Sequence, residues 1–420
     1  MSNIGTYDVI VIGGGPAGLM TAGKASSRGL RVLLLEKNET VGNKLSITGG
    51  GRCNITNAES DIRTLLKNYG SAESFLYSPF AQFGVTDTMH FFESQGLSLK
   101  IEDRKRAFPK SEKATDVTRV MEAYARELGV EIRTKTPVRE IRVQDGHVVG
   151  VLSDNGILSA TAYVIASGGT SRPETGSTGD GMSWLARLGH TVSKPNPDLV
   201  PLVAREEWVK QLSGTTLTDV TITFGSGEKK VRRTGNILCT HFGISGPLIL
   251  NSAREVKALL TTGAVVATID LFPHEDIGAL RARITALLEV HSNKTLENAL
   301  HELMPKGVVE AVLEAFPTEQ KLQKSHSVTR EARHALVERM KAMPLTIMGT
   351  MGLDWAIVSD GGVDLREIDT RTMQSKLHPN VYVVGDMLDV SRPSGGFSLQ
   401  LCWTTGWVAG SHVGEESNRE

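Results

Sequence analysis

Short apolar runs that end in glycine alternate with helical patterns at the start of the chain. Residues 7–12 read YDVIVI, a β-branched apolar run that predicts a buried strand. Residues 13–29 begin with three glycines and continue with a helical pattern, and residues 30–37 (LRVLLLEK) predict a second buried strand. This order predicts a βαβ unit in a parallel sheet.

The glycines after the first strand have the spacing of a turn that binds a dinucleotide. Gly13, Gly15 and Gly18 fit the pattern G-x-G-x-x-G, and Glu36 ends the second strand. Gly13 permits the tight turn, Gly15 lets a pyrophosphate approach the backbone, and Gly18 lets helix and strand pack closely. The helix N-terminus favours phosphate, and Glu36 can accept hydrogen bonds from a ribose. The motif predicts NAD or FAD; a glycine turn that serves packing alone is the alternative.

Two later apolar runs predict that the chain returns to the same sheet. TAYVIASGGTSRP leads into a turn at Gly168 and Gly169, and NVYVVGDMLDV contains Gly385 and Asp386 after its apolar part. Since α/β sheets bind ligands at the carboxyl ends of their strands, Asp386 is expected at the binding crevice. It could bind a hydroxylated chain such as the ribitol of FAD; a carboxylate that caps a surface turn is the alternative.

A glycine pair precedes the last predicted helix. Gly395 and Gly396 come directly before an amphipathic segment that is predicted to become helical near Ser398. The N-terminus of this helix would point to the end of the preceding strand and stabilise negative charge there. Reduced flavin is an anion at its pyrimidine edge, so the arrangement favours FAD over NAD.

The middle of the chain has a different pattern. Residues 191–270 contain short β-rich segments separated by turn residues, residues 271–341 have helical periodicity, and residues 342–354 return to the β pattern. We predict an α/β fold with a Rossmann-type FAD-binding domain formed by residues 1–190 and 355–420. An antiparallel β-barrel domain is inserted in it and carries a small helical insert.

Composition and charge indicate a soluble globular protein, and the spacing of cysteine and histidine implies no metal. The chain has 420 residues, 40% of them hydrophobic, and a net charge of −1. It contains no apolar run long enough to span a membrane, and its start shows no secretory signal. The three cysteines (Cys53, Cys239 and Cys402) form no C-x-x-C motif and suit a reducing cytoplasm. The eleven histidines show no metal-ligand spacing.

Six stretches carry a resemblance to a known family. They are SITGGGRCNITN (46–57), RAFPKSEKATDV (106–117), ETGSTGDG (174–181), THFGISGPLIL (240–250), GGVDLREIDTRTMQSK (361–376) and GDMLDVSRPSGGFSLQ (385–400). They resemble bacterial FAD-dependent oxidoreductases, a family that includes aminoacetone oxidase-like proteins, the bile-acid pathway reductase BaiN and the 23S ribosomal RNA dihydrouridine synthase RdsA. The likeness extends from about Tyr7 to Gly410.

The resemblance implies non-covalent FAD, held by the residues that match the family's motifs. These residues are Gly13, Gly15, Pro16, Ala17, Gly18, Glu36, Lys37, Lys44, Gly50, Gly51, Arg52, Asn54, Val138, Gly168, Gly169, Asp386, Gly396, Phe397 and Ser398. The loop 49–54 would run along the cofactor, with glycine N–H groups facing it and Arg52 supplying positive charge. An exposed glycine hinge is the alternative for this loop.

Four positions depart from the family's common pattern. Asp386 stands where the family commonly has glutamate, and Ser398 where it has asparagine. Arg392 lies near a common glycine, and Lys105 replaces another. FAD binding is still expected despite these departures. They affect the shape that the family resemblance implies for the substrate pocket.

Three residues are candidates for catalysis. Cys53 follows the glycine loop and could protonate a substrate carbon, although most isolated cysteines are small buried hydrophobes. His241 could be a general acid or a turn residue. Arg106 is the third candidate, in a stretch that the resemblance covers. His190, directly after Gly189, is expected to bind carbonyls at a helix C-terminus.

A basic segment, residues 100–113 (KIEDRKRAFPKSEK), raises the question of an RNA partner. It holds six basic and three acidic side chains around Phe108, on which a base could stack. Residues 229–233 (KKVRR) could add to the same surface. A solvated charged face is the alternative interpretation.

Three functions are compatible with these features. The first is reduction of a conjugated C=C, with NAD(P)H docking transiently because no second dinucleotide motif follows, and with uridine in 23S ribosomal RNA as the most concrete substrate. The second is oxidation of a small amine or aminoketone by oxygen. The third is an FAD-loaded binding or scaffold protein without turnover. The basic segment favours the first.

Overall fold

A computed structural model of the chain describes residues 7–356 and 358–415. The chain divides into two compact units. The first consists of Met1–Pro197 with Ala356–Glu420, and the second is Asp198–Trp355. The finer division into a barrel domain and a separate helical insert stays a prediction.

The β-strands are short and distributed over the whole chain. They are β1 (Tyr7–Ile12), β2 (Val32–Leu35), β3 (Thr56–Asn57), β4 (Leu99–Glu102), β5 (Arg106–Pro109), β6 (Glu131–Arg133), β7 (Val138–Gln144), β8 (His147–Ser153), β9 (Gly156–Leu158), β10 (Ala160–Ile165), β11 (Asn196–Asp198), β12 (Leu202–Ala204), β13 (Thr216–Ser226), β14 (Lys229–Thr240), β15 (Gly243–Ser245), β16 (Val265–Asp270), β17 (Met343–Thr350), β18 (Val358–Asp360) and β19 (Val381–Val383).

The α-helices lie mainly between these strands. They are α1 (Pro16–Ser26), α2 (Asn43–Ser46), α3 (Ile62–Leu66), α4 (Glu73–Gln82), α5 (Val85–Ser94), α6 (Ala114–Glu127), α7 (Asp180–Arg187), α8 (Glu207–Gln211), α9 (Pro247–Leu260), α10 (Ile277–Val290), α11 (Leu296–Leu300), α12 (Lys306–Leu313), α13 (Thr318–Leu322), α14 (Arg330–Lys341) and α15 (Phe397–His412).

The first unit is built on a five-stranded parallel sheet of order β19-β10-β1-β2-β6. Its strands are apolar along their whole length because helices cover the sheet; Val9, Ile10 and Val11 are fully buried. α1 and α15 pack closely, since a Cβ at Gly406 would lie 2.5 Å from the Ala17 carbonyl oxygen. The strands β1, β10 and β19 are neighbours, so their carboxyl ends meet at one edge.

The second unit contains a closed antiparallel barrel of six strands in the order β12-β15-β14-β13-β16-β17. Barrel residues such as Ile222 and helical residues such as Leu280 and Leu336 belong to one hydrophobic core. The parallel sheet and this barrel confirm the predicted fold class, a Rossmann-type domain with an inserted antiparallel barrel and helices.

The expectation for His190 is confirmed for its backbone, whose N–H donates to the Leu185 carbonyl in the last turn of α7 at 3.0 Å, but its ring has other partners. His190 Nδ1 lies 2.8 Å from Glu367 Oε2, and its Nε2 lies 2.9 Å from Ser375 Oγ. The carbonyl at the end of α7, that of Leu188, contacts His378 Nε2 at 2.8 Å instead. The ring partners of His190 come from segments 177 and 185 positions away, which local sequence cannot indicate.

Candidate cofactor site and basic hairpin

The glycine turn between β1 and α1 has the shape that a phosphate-binding turn requires. Gly13 has φ of 110°, and a Cβ there would lie 2.5 Å from the Ala166 carbonyl oxygen. A Cβ at Gly18 would lie 1.9 Å from the Gly13 carbonyl oxygen, so helix and strand touch. A Cβ at Gly15, the residue before α1, would meet no atom within 4 Å. The turn is closed at two glycines and open at the one expected to face a pyrophosphate.

Glu36 is fixed beside this turn. It is 8% exposed, and its two carboxylate oxygens accept hydrogen bonds from the backbone N–H groups of Gly14 (2.8 Å) and Asn38 (2.9 Å). These bonds leave lone pairs for further donors, so a ribose can be added without breaking them. The ribose contact itself stays a prediction.

Four further candidates follow β2 and β10 or begin β7. Lys37 Nζ pairs with Asp180 at the start of α7, 2.9 Å away. Val138 is half-buried at the start of β7, and Gly168 follows β10 with φ of 77°. Gly169 is buried beside it. The contacts of these residues with FAD stay predictions.

The loop 49–54 is a strained, open stretch of backbone. Gly49, Gly50 and Gly51 have φ of 59°, 68° and 84°, and Cys53 shares this left-handed conformation. A Cβ at Gly50 or Gly51 would meet no atom within 4 Å. Asn54 Oδ1 is buried and finds no hydrogen-bond partner among the described residues. Positive φ, open space and an unpaired buried acceptor fit a loop that a ligand covers.

Arg52 is held by the basic hairpin, the strands β4 and β5 with their connection. Its Nη2 donates to Glu102 at 2.5 Å and to Glu112 at 3.0 Å, and its guanidinium lies 4.3 Å from the Phe108 ring centroid. Arg52 and Lys100 hold the pKa of Glu102 below its ordinary value. Two glutamates therefore neutralise the charge expected to face FAD. The buried Nε–H of Arg52 has no partner among the described residues and remains available to a ligand.

The hairpin also alters the interpretation of Phe108. This ring is 3% exposed and lies under the guanidinium groups of Arg52 and Arg106, so the expected stacking of a base on it is wrong. Arg104 and Lys105 have left-handed φ of 59° and 57°, which is uncommon for non-glycine residues. Lys105 pairs with Glu59 at 2.6 Å.

Asp386 is the centre of a charged cluster after β19. Its Oδ2 lies 3.5 Å from Lys44 Nζ, which also donates to Ser171 Oγ at 2.7 Å. Its Oδ1 accepts from Arg392, and a hydrogen bond from Ser398 also stabilises the ionised form. Burial alone would raise the pKa of Asp386, but the two cations outweigh it and hold this pKa below its ordinary value. Asp386 is thus an ionised group at the carboxyl end of the sheet, as predicted from its place after the strand.

Arg392 is a site residue that sequence reasoning did not include. It lies in the connection between β19 and α15 and is 3% exposed. The feature that could have indicated it is its place as the one basic residue between this strand and the glycine pair, six positions after Asp386.

The catalytic candidates occupy three different environments. Cys53 is fully buried, and burial raises the pKa of its thiol to about 12. Arg106 is half-buried, with Nε donating to the Asp103 carbonyl at 3.1 Å. His241 is exposed on the second unit, where its ring neighbours Phe242 and Trp355. Their catalytic roles stay predictions, and a sealed neutral thiol is a poor proton donor unless the loop opens.

The described residues offer neither a metal-binding cluster nor a membrane-spanning helix. Within residues 7–356 and 358–415, no group of three or more His, Cys, Asp or Glu side chains could hold a metal ion. No described helix is both long enough and apolar enough to span a bilayer.

Curated relatives match nearly the whole chain. A 3-dehydro-bile acid delta(4,6)-reductase of Clostridium scindens is 29% identical over 409 residues, covering 96% of this chain and 98% of the relative. A ribosomal RNA dihydrouridine synthase of Escherichia coli is 28% identical over 406 residues, covering 96% of each chain. The Haemophilus influenzae enzyme of the same name is 28% identical over 413 residues and covers 97% of this chain and 98% of its own.

Solved structures share the fold at low identity. A 3-ketosteroid delta1-dehydrogenase from Sterolibacterium denitrificans superposes with a TM-score of 0.55 at 13% identity, covering 97% of this chain and 99% of that one. The family model described as "HI0933-like protein Rossmann domain" matches residues 7–412. The chain therefore belongs to the HI0933-like family of Rossmann-domain proteins.

Proposed function

We propose that this protein is an FAD-dependent oxidoreductase that reduces a conjugated C=C bond with electrons from NAD(P)H. The observation that carries the proposal is the full-length similarity to a bile-acid delta(4,6)-reductase and to two dihydrouridine synthases. Their names describe different substrates but one reaction class, since each implies saturation of a C=C conjugated to a carbonyl. The amine oxidase and scaffold alternatives have no comparable support.

The described residues fit FAD. The open space before Gly15 and the first turn of α1 would take the pyrophosphate, and Glu36 would take the adenosine ribose. Asn54 Oδ1 and Arg52 Nε–H, both in the loop 49–54, have no partner among the described residues and are available to a ligand that covers this loop. When bound, FAD supplies the two-electron chemistry.

The protein's own residues would position the cofactor and the substrate. The ionised Asp386 would accept hydroxyl hydrogen bonds, and the N-terminus of α15 would stabilise negative charge. A proton for the substrate carbon must come from a group that reaches the substrate. Cys53 does not meet this requirement while its loop is closed, because it is fully buried and burial raises the pKa of its thiol to about 12.

Uridine in 23S ribosomal RNA is the substrate we propose. Three cations of the basic hairpin and its flank, Arg104, Lys110 and Lys113, are exposed and make no ion pair among the described residues. Unpaired cations can contact phosphates, whereas Lys100, Lys105 and Arg106 are already paired. The similarity to two ribosomal RNA dihydrouridine synthases supports the same substrate.

Nucleoside mass spectrometry of ribosomal RNA tests this proposal. RNA from the parent strain, a deletion strain and the deletion strain complemented with the gene is digested, and dihydrouridine is quantified. We expect loss of one dihydrouridine on deletion and its return on complementation. Complementation with a Gly15→Val variant is the matched control, because it should not restore the nucleoside. Unchanged dihydrouridine on deletion would contradict the RNA substrate and favour a small conjugated ketone.

A further inference from the structure

A buried guanidinium lies where β19 leads into α15. Arginine is rarely buried, yet the Arg392 side chain is 1% exposed. Its Nη1 donates to the Val390 carbonyl at 2.5 Å. Its Nε and Nη2 donate to Ser398 Oγ at 3.3 and 3.1 Å, and Nη2 also donates to Asp386 Oδ1. Each of its three nitrogens therefore has an acceptor, as a desolvated cation requires.

The charges around Asp386 do not cancel. Arg392 holds one carboxylate oxygen, and Lys44 lies 3.5 Å from the other. Two cations thus flank one carboxylate, which leaves one positive charge in excess. α15, sixteen residues long, begins five residues after Arg392 and adds the positive end of its dipole. In a partly buried site such a charge acts more strongly than on the surface.

We propose that Arg392 is a positioning residue that sets the redox preference of bound flavin. It fixes the Asp386 carboxylate and gives this edge of the sheet its positive excess. Oxidised flavin is neutral and reduced flavin carries negative charge, so a fixed cation favours the reduced form and raises the midpoint potential. This inference rests on the FAD binding proposed above, and it adds a residue and a charge effect to it.

Four variants separate this charge effect from a structural one. Arg392→Gln removes the cation, Arg392→Lys keeps it, and Asp386→Asn removes the carboxylate between the cations. Arg126→Gln removes a charge from an exposed pair with Glu122 on α6 and serves as the control. The FAD content and the midpoint potential of each purified protein are measured, the latter by equilibration with a reference dye.

The direction in which each variant shifts the midpoint potential decides between the two explanations. We expect Arg392→Gln to weaken the preference for reduced over oxidised flavin about tenfold, which corresponds to a fall of about 30 mV for a two-electron couple. Arg392→Lys should stay near the parent value, Asp386→Asn should raise the potential, and Arg126→Gln should leave it unchanged. Disturbed folding cannot produce opposite shifts from two members of one ion pair.

Each contrary outcome has a distinct meaning. An FAD-loaded Arg392→Gln protein with the parent potential would overturn this inference and leave the proposed function intact. If that variant does not fold, a fall of the potential in Asp386→Asn would overturn it equally. A parent protein that binds no FAD would overturn the proposed function, and this inference with it.

Discussion

The glycine turn after β1 allows cofactor binding to be separated from folding. A Cβ at Gly15 meets no atom within 4 Å, and the φ of −79° is accessible to any residue. A Cβ at Gly18 would lie 1.9 Å from the Gly13 carbonyl oxygen, well inside contact distance. Gly15→Val should therefore fold normally and fill the space of the pyrophosphate, whereas Gly18→Ala should push α1 away from β1.

The expected magnitudes differ clearly between the two variants. Overpacking a tight contact costs about 1–3 kcal/mol, which lowers the Tm of a unit of this size by roughly 2–12 °C. A substitution into open space stays within about 0.5 kcal/mol, which corresponds to at most about 2 °C. Because bound FAD stabilises the native state by mass action, the comparison requires flavin-free protein.

Calorimetry of the flavin-free proteins and the visible absorbance of the reconstituted ones give both readouts. Gly349→Val, on β17 of the barrel, is the matched control because its Cβ also meets no atom within 4 Å. It should retain both FAD and Tm. Full FAD occupancy in Gly15→Val would refute the assignment of the phosphate-binding turn. A parent-like Tm in Gly18→Ala would refute the packing argument.

Three further predictions concern the basic hairpin, the electron donor and the thiols. Replacing the three exposed cations Arg104, Lys110 and Lys113, unpaired among the described residues, together by alanine should leave FAD content normal and abolish dihydrouridine in ribosomal RNA. It should also flatten the salt dependence of RNA binding by up to about three units of slope; normal dihydrouridine would make the hairpin a solvated face. Anaerobic titration with NADH and with NADPH should bleach the flavin with at least one of them, and failure of both would favour the amine oxidase alternative. Burial raises the pKa of the Cys53 thiol to about 12. This thiol should therefore stay protonated and should not react with a thiol reagent at pH 8 until the protein unfolds. Rapid alkylation of Cys53 in the native protein would show that its loop opens.

The fold was largely predictable because its determinants are local. The strand β1, the glycine turn and the strand β2 lie within thirty residues, and each has its own pattern of apolar or glycine positions. The return of β10 and β19 to the sheet was equally visible, since a parallel strand buried on both faces is a continuous apolar run.

The electrostatics of the site were not predictable from sequence. Arg52 was expected to face the cofactor, but Glu102 and Glu112, fifty or more positions away, neutralise it. The cluster around Asp386 likewise depends on Lys44, which α2 brings from more than three hundred positions earlier. Ion pairs of this kind are set by tertiary placement, which local sequence patterns do not encode.

The most direct test of the central claim is the flavin content of the purified protein. The protein is denatured with acid, the released cofactor is identified by chromatography, and its amount is compared with the protein concentration. We expect one FAD per chain in the soluble fraction and none attached to the polypeptide. A protein without flavin that also fails to take up added FAD would contradict the assignment of this Rossmann-type fold to FAD, and with it the proposed reductase.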